Sequence, residues 1–291
     1  MTVRWIITTF QASMQLAYVP RSWKVATIVV LRKPNKPDYT KAKAYRPISL
    51  LRTMAKALEA IVATRLSYVA ERYNLLPINH MGGRRRRSNE QAVMVLVEAI
   101  REAWRANKVL SLVTFDVQGA FNGVHPEVLR TRLLQRKVPK RLAEWILSFY
   151  TGRSAELVID RYRSAVEPIT HAEIPQGSPL SPILYIFYNA DLIEGQIDKK
   201  QGSLGFVDDY TAWVVRRTRA ETAKALQEGV IPKAEQWAKQ SGAAFEAEKT
   251  GLVHFVPPMA LVRGRHRVPE VEDIGLSFLG TRIKPGDPSG V

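Results

Sequence analysis

An α+β fold built around an antiparallel sheet is predicted by three features of this 291-residue sequence. Segments with helical spacing of apolar residues alternate irregularly with short β-branched runs. Hairpin-like alternation recurs, so the strands cannot all be joined by the crossovers that a parallel sheet requires. Hydrophobic residues make up 46% of the chain, enough to bury one large core or two small ones.

The elements follow in order. Residues 3–18 have the spacing of an amphipathic helix, and "KVATIVVLRKP" (24–34) reads as a strand that breaks into a Pro/Lys loop. Leu50 to about Ala70 is helical, "NLLPINHMGGRRRRSN" is a loop, and 89–107 returns to helix. "VLSLVTFDV" (109–117) reads as a buried strand that meets its first charge at Asp116. Residues 126–150 are helical and 155–177 alternate like a hairpin. "SPLSPILYIFYNADLIEGQI" reads as a buried helix with prolines only in its first turn, where they are tolerated. A helix over 219–241, strands near 245–256 and a final strand pair in "IGLSFLGTRI" complete the pattern. Gly and Pro at 285–290 predict a frayed end, and no repeat of fixed period is present.

The charge balance is 43 Lys+Arg against 27 Asp+Glu, a net charge of +16. Such basicity favours a polyanionic partner, nucleic acid first and an acidic membrane surface second. The absence of cysteine excludes disulfides, thiol catalysis and Cys-based zinc sites, and five scattered histidines argue against a His-rich metal centre. The first residues are a poor signal peptide, and no run reaches the ~18 apolar residues of a membrane span. A soluble intracellular protein with no membrane partner is expected.

"GSLGFVDDYTAWVV" (202–215) sets Asp208 and Asp209 side by side in an apolar, β-prone run. At a hairpin tip, neighbouring residues can both project near the end of a sheet. If the strand ending at Asp116 lies alongside, three carboxylates converge, an arrangement costly without cations. Oxygen-only ligands point to Mg²⁺ or Mn²⁺, and a pair of such ions suits phosphoryl or nucleotidyl transfer. Taken alone, the same dipeptide also reads as an ordinary polar turn.

Several stretches in a fixed order resemble the reverse transcriptases, in particular those of non-LTR (LINE-type) retrotransposons. "FVDDY" resembles their (Y/F)xDD motif, and "VTFDVQGAFNGV" the first catalytic motif. "IPQGSPLSPILYIFYNADL" is similar to the Pro-Gln-Gly loop and its helix, and "AYRPISLLRTMAKALEAIVATRL" to the Arg-Pro-Ile-Ser-Leu block of the fingers. "LLPINHMGGRRRRSNEQAV" is close to the finger loop, while "FEAEKTGLVHF" and "LSFLG" resemble the lysine motif and the primer-grip hairpin. The resemblance covers roughly residues 20–284 and implies a right-hand polymerase with fingers and palm. It implies an N-terminal helical extension at 1–19, fingers with part of the palm at 20–107, palm at 108–284, and a frayed C-terminus at 285–291 with the thumb absent.

It also implies roles for individual residues. Asp116 and Asp208 would be the principal ligands of two Mg²⁺ ions (Mn²⁺ as the alternative), with Asp209 a weaker one and Val117 offering its backbone carbonyl. Phe121 would sit under the incoming sugar and exclude a 2′-hydroxyl, since an apolar ring leaves it neither room nor partner. Gln176 and Gly177 would lie beside the nucleotide, Arg46 would grip the triphosphate, and Lys33 or Lys36 would assist. Lys249 would protonate the departing pyrophosphate. Phe278, Leu279 and Gly280 would form the primer grip, and Arg84, Arg85, Arg86 and Arg87 would hold template phosphates. The implied activity is RNA-directed DNA synthesis from dNTPs, with an RNA template and a DNA primer as partners. The other reading is a catalytically silent RNA-binding remnant, with a different two-metal enzyme such as a nuclease third.

Two departures from the family pattern stand out, Asn122 after the aromatic of the first motif and Val207 within "FVDDY". The sequence reads as a catalytic core cut from a longer polyprotein. The expected compartment is the nucleus, with mitochondria the alternative; oligomeric state is left open.

Overall fold

A computed structural model describes residues 2–169, 174–258 and 275–286. In chain order the helices are α1 (Thr2–Leu16), α2 (Thr53–Arg72), α3 (Asn89–Arg105), α4 (Pro126–Gln135), α5 (Lys140–Tyr150), α6 (Ser181–Ile193), α7 (Arg219–Ala225) and α8 (Ile231–Ser241). The strands are β1 (Val25–Arg32), β2 (Tyr45–Leu50), β3 (Val109–Phe115), β4 (Ser154–Ile159), β5 (Tyr162–Arg163), β6 (Glu167–Pro168), β7 (Gln201–Phe206), β8 (Asp209–Arg216), β9 (Gly251–Phe255), β10 (Leu276–Phe278) and β11 (Thr281–Ile283). The chain divides into two compact units, Met1–Leu75 with Gly119–Tyr188, and Leu76–Gln118 with Asn189–Val291.

The first unit holds a sheet in the order β2-β1-β4-β5, with β6 also on β4. β1 pairs with β2 antiparallel and with β4 parallel. The long stretch of chain between β1 and β4 is what makes a parallel pairing possible. β2, which was not expected as a strand, carries Pro47 at the edge of the sheet, where a missing N–H breaks no ladder. The helical stretch expected over 126–150 is two helices, α4 and α5. Lys137 sits at φ +62°, and its N–H and that of Val138 close back on Leu134 and Leu133, a Schellman ending for α4. Arg130 joins α4 to Glu144 of α5 at 2.5 Å, and Trp145 Nε1 donates to Ser13 Oγ of α1 at 3.0 Å.

The second unit is built on an all-antiparallel sheet, β7-β8-β3-β9. Its central strand, β3, is buried almost throughout, which accounts for its unbroken apolar run. α3 opens on a capping box between Ser88 and Gln91 and lays Ile100 and Ala103 over Leu110, Leu112, Leu204, Trp213 and Val215. The helix expected over 219–241 is α7 and α8 joined by a π-turn, and it stops at Gly242, whose φ of +65° suits glycine. Pro285 and Gly286 pair with Leu252, so the expected frayed end is held at its start. The rest of that expectation, 287–291, lies outside the described residues, as do 170–173 of the expected hairpin. Among the described residues no helix is long and apolar enough to cross a membrane.

Candidate active site

The register of the second unit's sheet is what assembles carboxylates. β3 and β8 are paired so that Phe115 faces Tyr210. The next residue of β3's chain, Asp116, therefore comes to the level of Asp209. β7 and β8 pair down to Phe206 and Asp209, which leaves Val207 and Asp208 as a two-residue turn. Val207 holds φ +55°, a conformation β-branched side chains rarely adopt. Behind the carboxylates the ring of Phe115 stacks on Tyr210 at 5.3 Å and meets Phe245 at 5.4 Å and Phe278 at 5.2 Å. This aromatic layer is the low-dielectric floor of the site.

Burial raises the Asp208 carboxyl above the ordinary aspartate value, and the charge of Asp116 adds to the rise. Asp209 is raised in the same way, by burial first and then by Asp208 and Asp116. The three acids thus repel one another at close quarters. Lys249, in a short turn before β9, places its ammonium 2.6 Å from Asp116 Oδ2 and 2.5 Å from Glu246 Oε2. Its hydrogen bonds to Asp116 and then Glu246 raise its pKa, so it is protonated at neutral pH. Val117 bridges Phe245, but the bonds come from the neighbours: Glu246 N donates to Asp116 O and Gln118 N to Ala244 O. The bridge therefore makes no use of the Val117 carbonyl. In donor chemistry the set fits a hard divalent cation, with carboxylate oxygens in excess of positive charge. No group of three His, Cys, Asp or Glu among the described residues is already arranged as a metal shell.

The grip residues also lie in the second unit. Phe278 is part of the buried aromatic layer, and the turn beyond it exposes Leu279. Leu279 and Gly280 have φ +48° and +75°, the double positive of a tight hairpin turn. Gln227 exchanges two hydrogen bonds with the Ser277 backbone and so fixes this hairpin to the π-turn. In the basic loop, Arg84 differs from its neighbours. It is buried and donates to Pro77 O at 2.5 Å and His80 O at 3.2 Å. Its guanidinium thus bonds the loop's own backbone. Arg85 and Arg86 are exposed, and Arg87 is half-buried against Met81 Sδ.

Arg46, Lys33, Phe121, Gln176 and Gly177 lie in the first unit. Gln176 O accepts from Ser49 N at 2.7 Å, so the Pro-Gln-Gly loop is zipped to β2, the strand that carries the exposed Arg46. Gly177 stands at φ +118°, and a Cβ there would come 2.8 Å from Ser49 O. Phe121 packs on Tyr185, ring centres 5.4 Å apart, and its carbonyl accepts from Ile174 N. Lys33 Nζ is bound to Lys43 O at 3.0 Å.

Sequence reasoning passed over several residues that hold these loops. Glu59 of α2, buried, accepts from Ser178 Oγ at 2.6 Å, directly after the Gln-Gly pair. Burial raises its pKa, against the lowering by Ser178 and Arg153. Asn189, His80 and Gly82 support the Val207 turn, and Glu246 shares Lys249 with Asp116. The available signal was a lone polar residue at an apolar helical position, as Asn189 is in "ILYIFYNADLI" and Glu59 in "ALEAIVA".

Over 290 residues the chain is 26% identical to a probable RNA-directed DNA polymerase from transposon X-element of Drosophila melanogaster, covering 97% of this chain and 31% of that protein. It is 27% identical over 259 residues to the RNA-directed DNA polymerase from mobile element jockey of the same fly, covering 87% and 28%. The chain thus spans less than a third of the length of these curated relatives. Among solved structures, telomerase from Candida tropicalis with a TWJ fragment of telomeric RNA matches with a TM-score of 0.55 at 10% identity, covering 86% of this chain and 44% of that one. Telomerase from Candida albicans gives 0.54 at 11%, covering 97% and 50%. At such identities these two speak for the fold alone. The family model described as reverse transcriptase (RNA-dependent DNA polymerase) matches residues 31–283, from the end of β1 to the last strand, and the chain belongs to that family.

Proposed function

We propose that this chain is the polymerase core of a non-LTR retroelement reverse transcriptase, which extends a DNA primer with dNTPs on an RNA template. The observation that carries the reading is the β3–β8 register, which sets Asp116 level with Asp209 beside the Asp208 turn. Asp116, Asp208, Asp209 and the Val117 carbonyl would hold two Mg²⁺ ions. Bound there, the cations would supply Lewis-acid stabilisation of charge on the attacking and departing oxygens. The protein's own part is positioning. Arg46 and the Gln176–Gly177 loop would hold the nucleotide, and the flat apolar ring of Phe121 would reject a 2′-hydroxyl. Leu279 and Gly280 present the primer grip over the buried Phe278. Lys249, kept protonated by Asp116 and Glu246, holds a proton for the leaving pyrophosphate.

The ion pair between Lys249 and Asp116 favours the second reading, a silent RNA-binding domain, because it already neutralises one ligand. Primer extension on an RNA template with Mg²⁺ and dNTPs decides between the two. Extension by the wild type, with Asp208→Asn at least ~100-fold slower, supports the polymerase. Hybrid binding without any nucleotide addition defeats it, and full extension by Asp208→Asn overturns the ligand assignment.

A further inference from the structure

The turn that carries Asp208 is strained, and buried polar groups converge on it from one side. Val207 at φ +55° is a β-branched residue in the left-handed region, a state that persists only where its surroundings enforce it. Asn189 of α6, buried, donates from Nδ2 to Val207 O at 2.6 Å. Its Oδ1 lies 3.2 Å from His80 Nε2, and His80 is buried as well. A carbonyl can only accept, so the amide nitrogen must face Val207 and the amide oxygen must face the imidazole. The proton of His80 is thereby assigned to Nε2.

His80 is itself held against β7. Gly205 N donates to Asn79 O at 3.1 Å, and Met81 N to Gly205 O at 2.7 Å, so residues 79–81 run as a parallel bridge along the strand. Two residues on, Gly82 lies flat beneath the turn. A Cβ there would stand 2.4 Å from Val207 N and 2.8 Å from the Phe206 carbonyl carbon. α6 therefore offers a donor, Asn189, where the turn has a carbonyl, and Gly82 offers no side chain where the turn has backbone.

We propose that Asn189, oriented by His80, is a positioning residue of the active site, holding the Val207–Asp208 turn in its positive-φ shape so that the Asp208 carboxylate is presented beside Asp116 and Asp209. The inference rests on the polymerase reading for its purpose, but not for its test. Local order is read by amide hydrogen exchange on the full chain without metal or nucleic acid, and catalysis by steady-state primer extension with varied dNTP.

For Asn189→Ala, exchange across residues 204–210 is expected to quicken about 10-fold, the loss of one buried hydrogen bond, with β9 and α3 unchanged. The rate of extension should fall by about 10- to 100-fold with the dNTP KM held within about twofold, as for a supporting partner of a site ligand. His80→Phe, which fills the space without a donor, should behave alike. His80→Gln, which keeps a side-chain N–H, should restore both readouts toward wild type. If Asn189→Ala does not fold, His80→Phe decides by the same measurements. Wild-type exchange at 204–210 overturns the proposal, and so does an increase shared equally by β9 and α3. Should the wild type extend no primer, the polymerase reading fails, and the exchange comparison alone decides this one.

Discussion

His80 shows at the scale of one residue how burial sets charge. Burial first, and then the nearby Arg84 guanidinium, lowers its pKa from 6.5 to about 4. Between those values the unfolded chain takes up a proton that the folded one refuses. The contribution to stability is therefore full above pH 6.5 and is lost as the pH falls toward 4, about 3 kcal/mol across the window. Asp208 and Asp209 act in the opposite sense, because their raised carboxyls favour the fold at low pH and lose that advantage as pH rises. Chemical denaturation at pH 7 and pH 4.5 of wild type and His80→Gln separates the two contributions. The acid-side loss should shrink in His80→Gln, and an unchanged pH profile would mean that the imidazole titrates freely in the fold.

At the scale of elements, the Pro-Gln-Gly loop depends on glycine for two reasons at one position. Gly177 combines φ +118° with a β2 carbonyl where its Cβ would be. Gly177→Ala must either displace the loop from Ser49 or distort β2, at a cost of about 1–3 kcal/mol. Because Gln176 is bonded to the same Ser49, the dNTP KM should rise together with the fall in melting temperature; a lower melting temperature at unaltered KM would detach this loop from the nucleotide. Much of this architecture was legible in the sequence. β3, the helix of α6 and the carboxylate turn show as runs of strong period bounded by breakers. The break between α4 and α5 did not, since a Schellman ending on Lys137 rather than glycine leaves no compositional trace. β2 was obscured by Pro47, which an edge position tolerates. The Asn189–His80–Gly82 support was hidden for a different reason. It joins residues more than a hundred positions apart, brought together by the bridge of 79–81 on Gly205 and by the Asn79 side chain, which donates to Ile193 O and Ser203 O.

For the whole molecule, a net charge of +16 predicts that binding to an RNA–DNA hybrid weakens steeply with salt, because each neutralised phosphate releases counterions. The structure divides the arginine run in a way that this measurement can read. Arg85 and Arg86 are exposed and free to meet phosphate, whereas Arg84 is spent on Pro77 and His80. In a plot of log affinity against log salt, Arg85→Ala and Arg86→Ala should each reduce the slope by about 1. Arg84→Ala should leave the slope near its wild-type value and instead lower the melting temperature, since it strips a buried donor from two carbonyls. A slope lost on Arg84→Ala with stability intact would return that residue to the template. A slope indifferent to Arg85 and Arg86 would place the hybrid's phosphates on other basic residues of the chain.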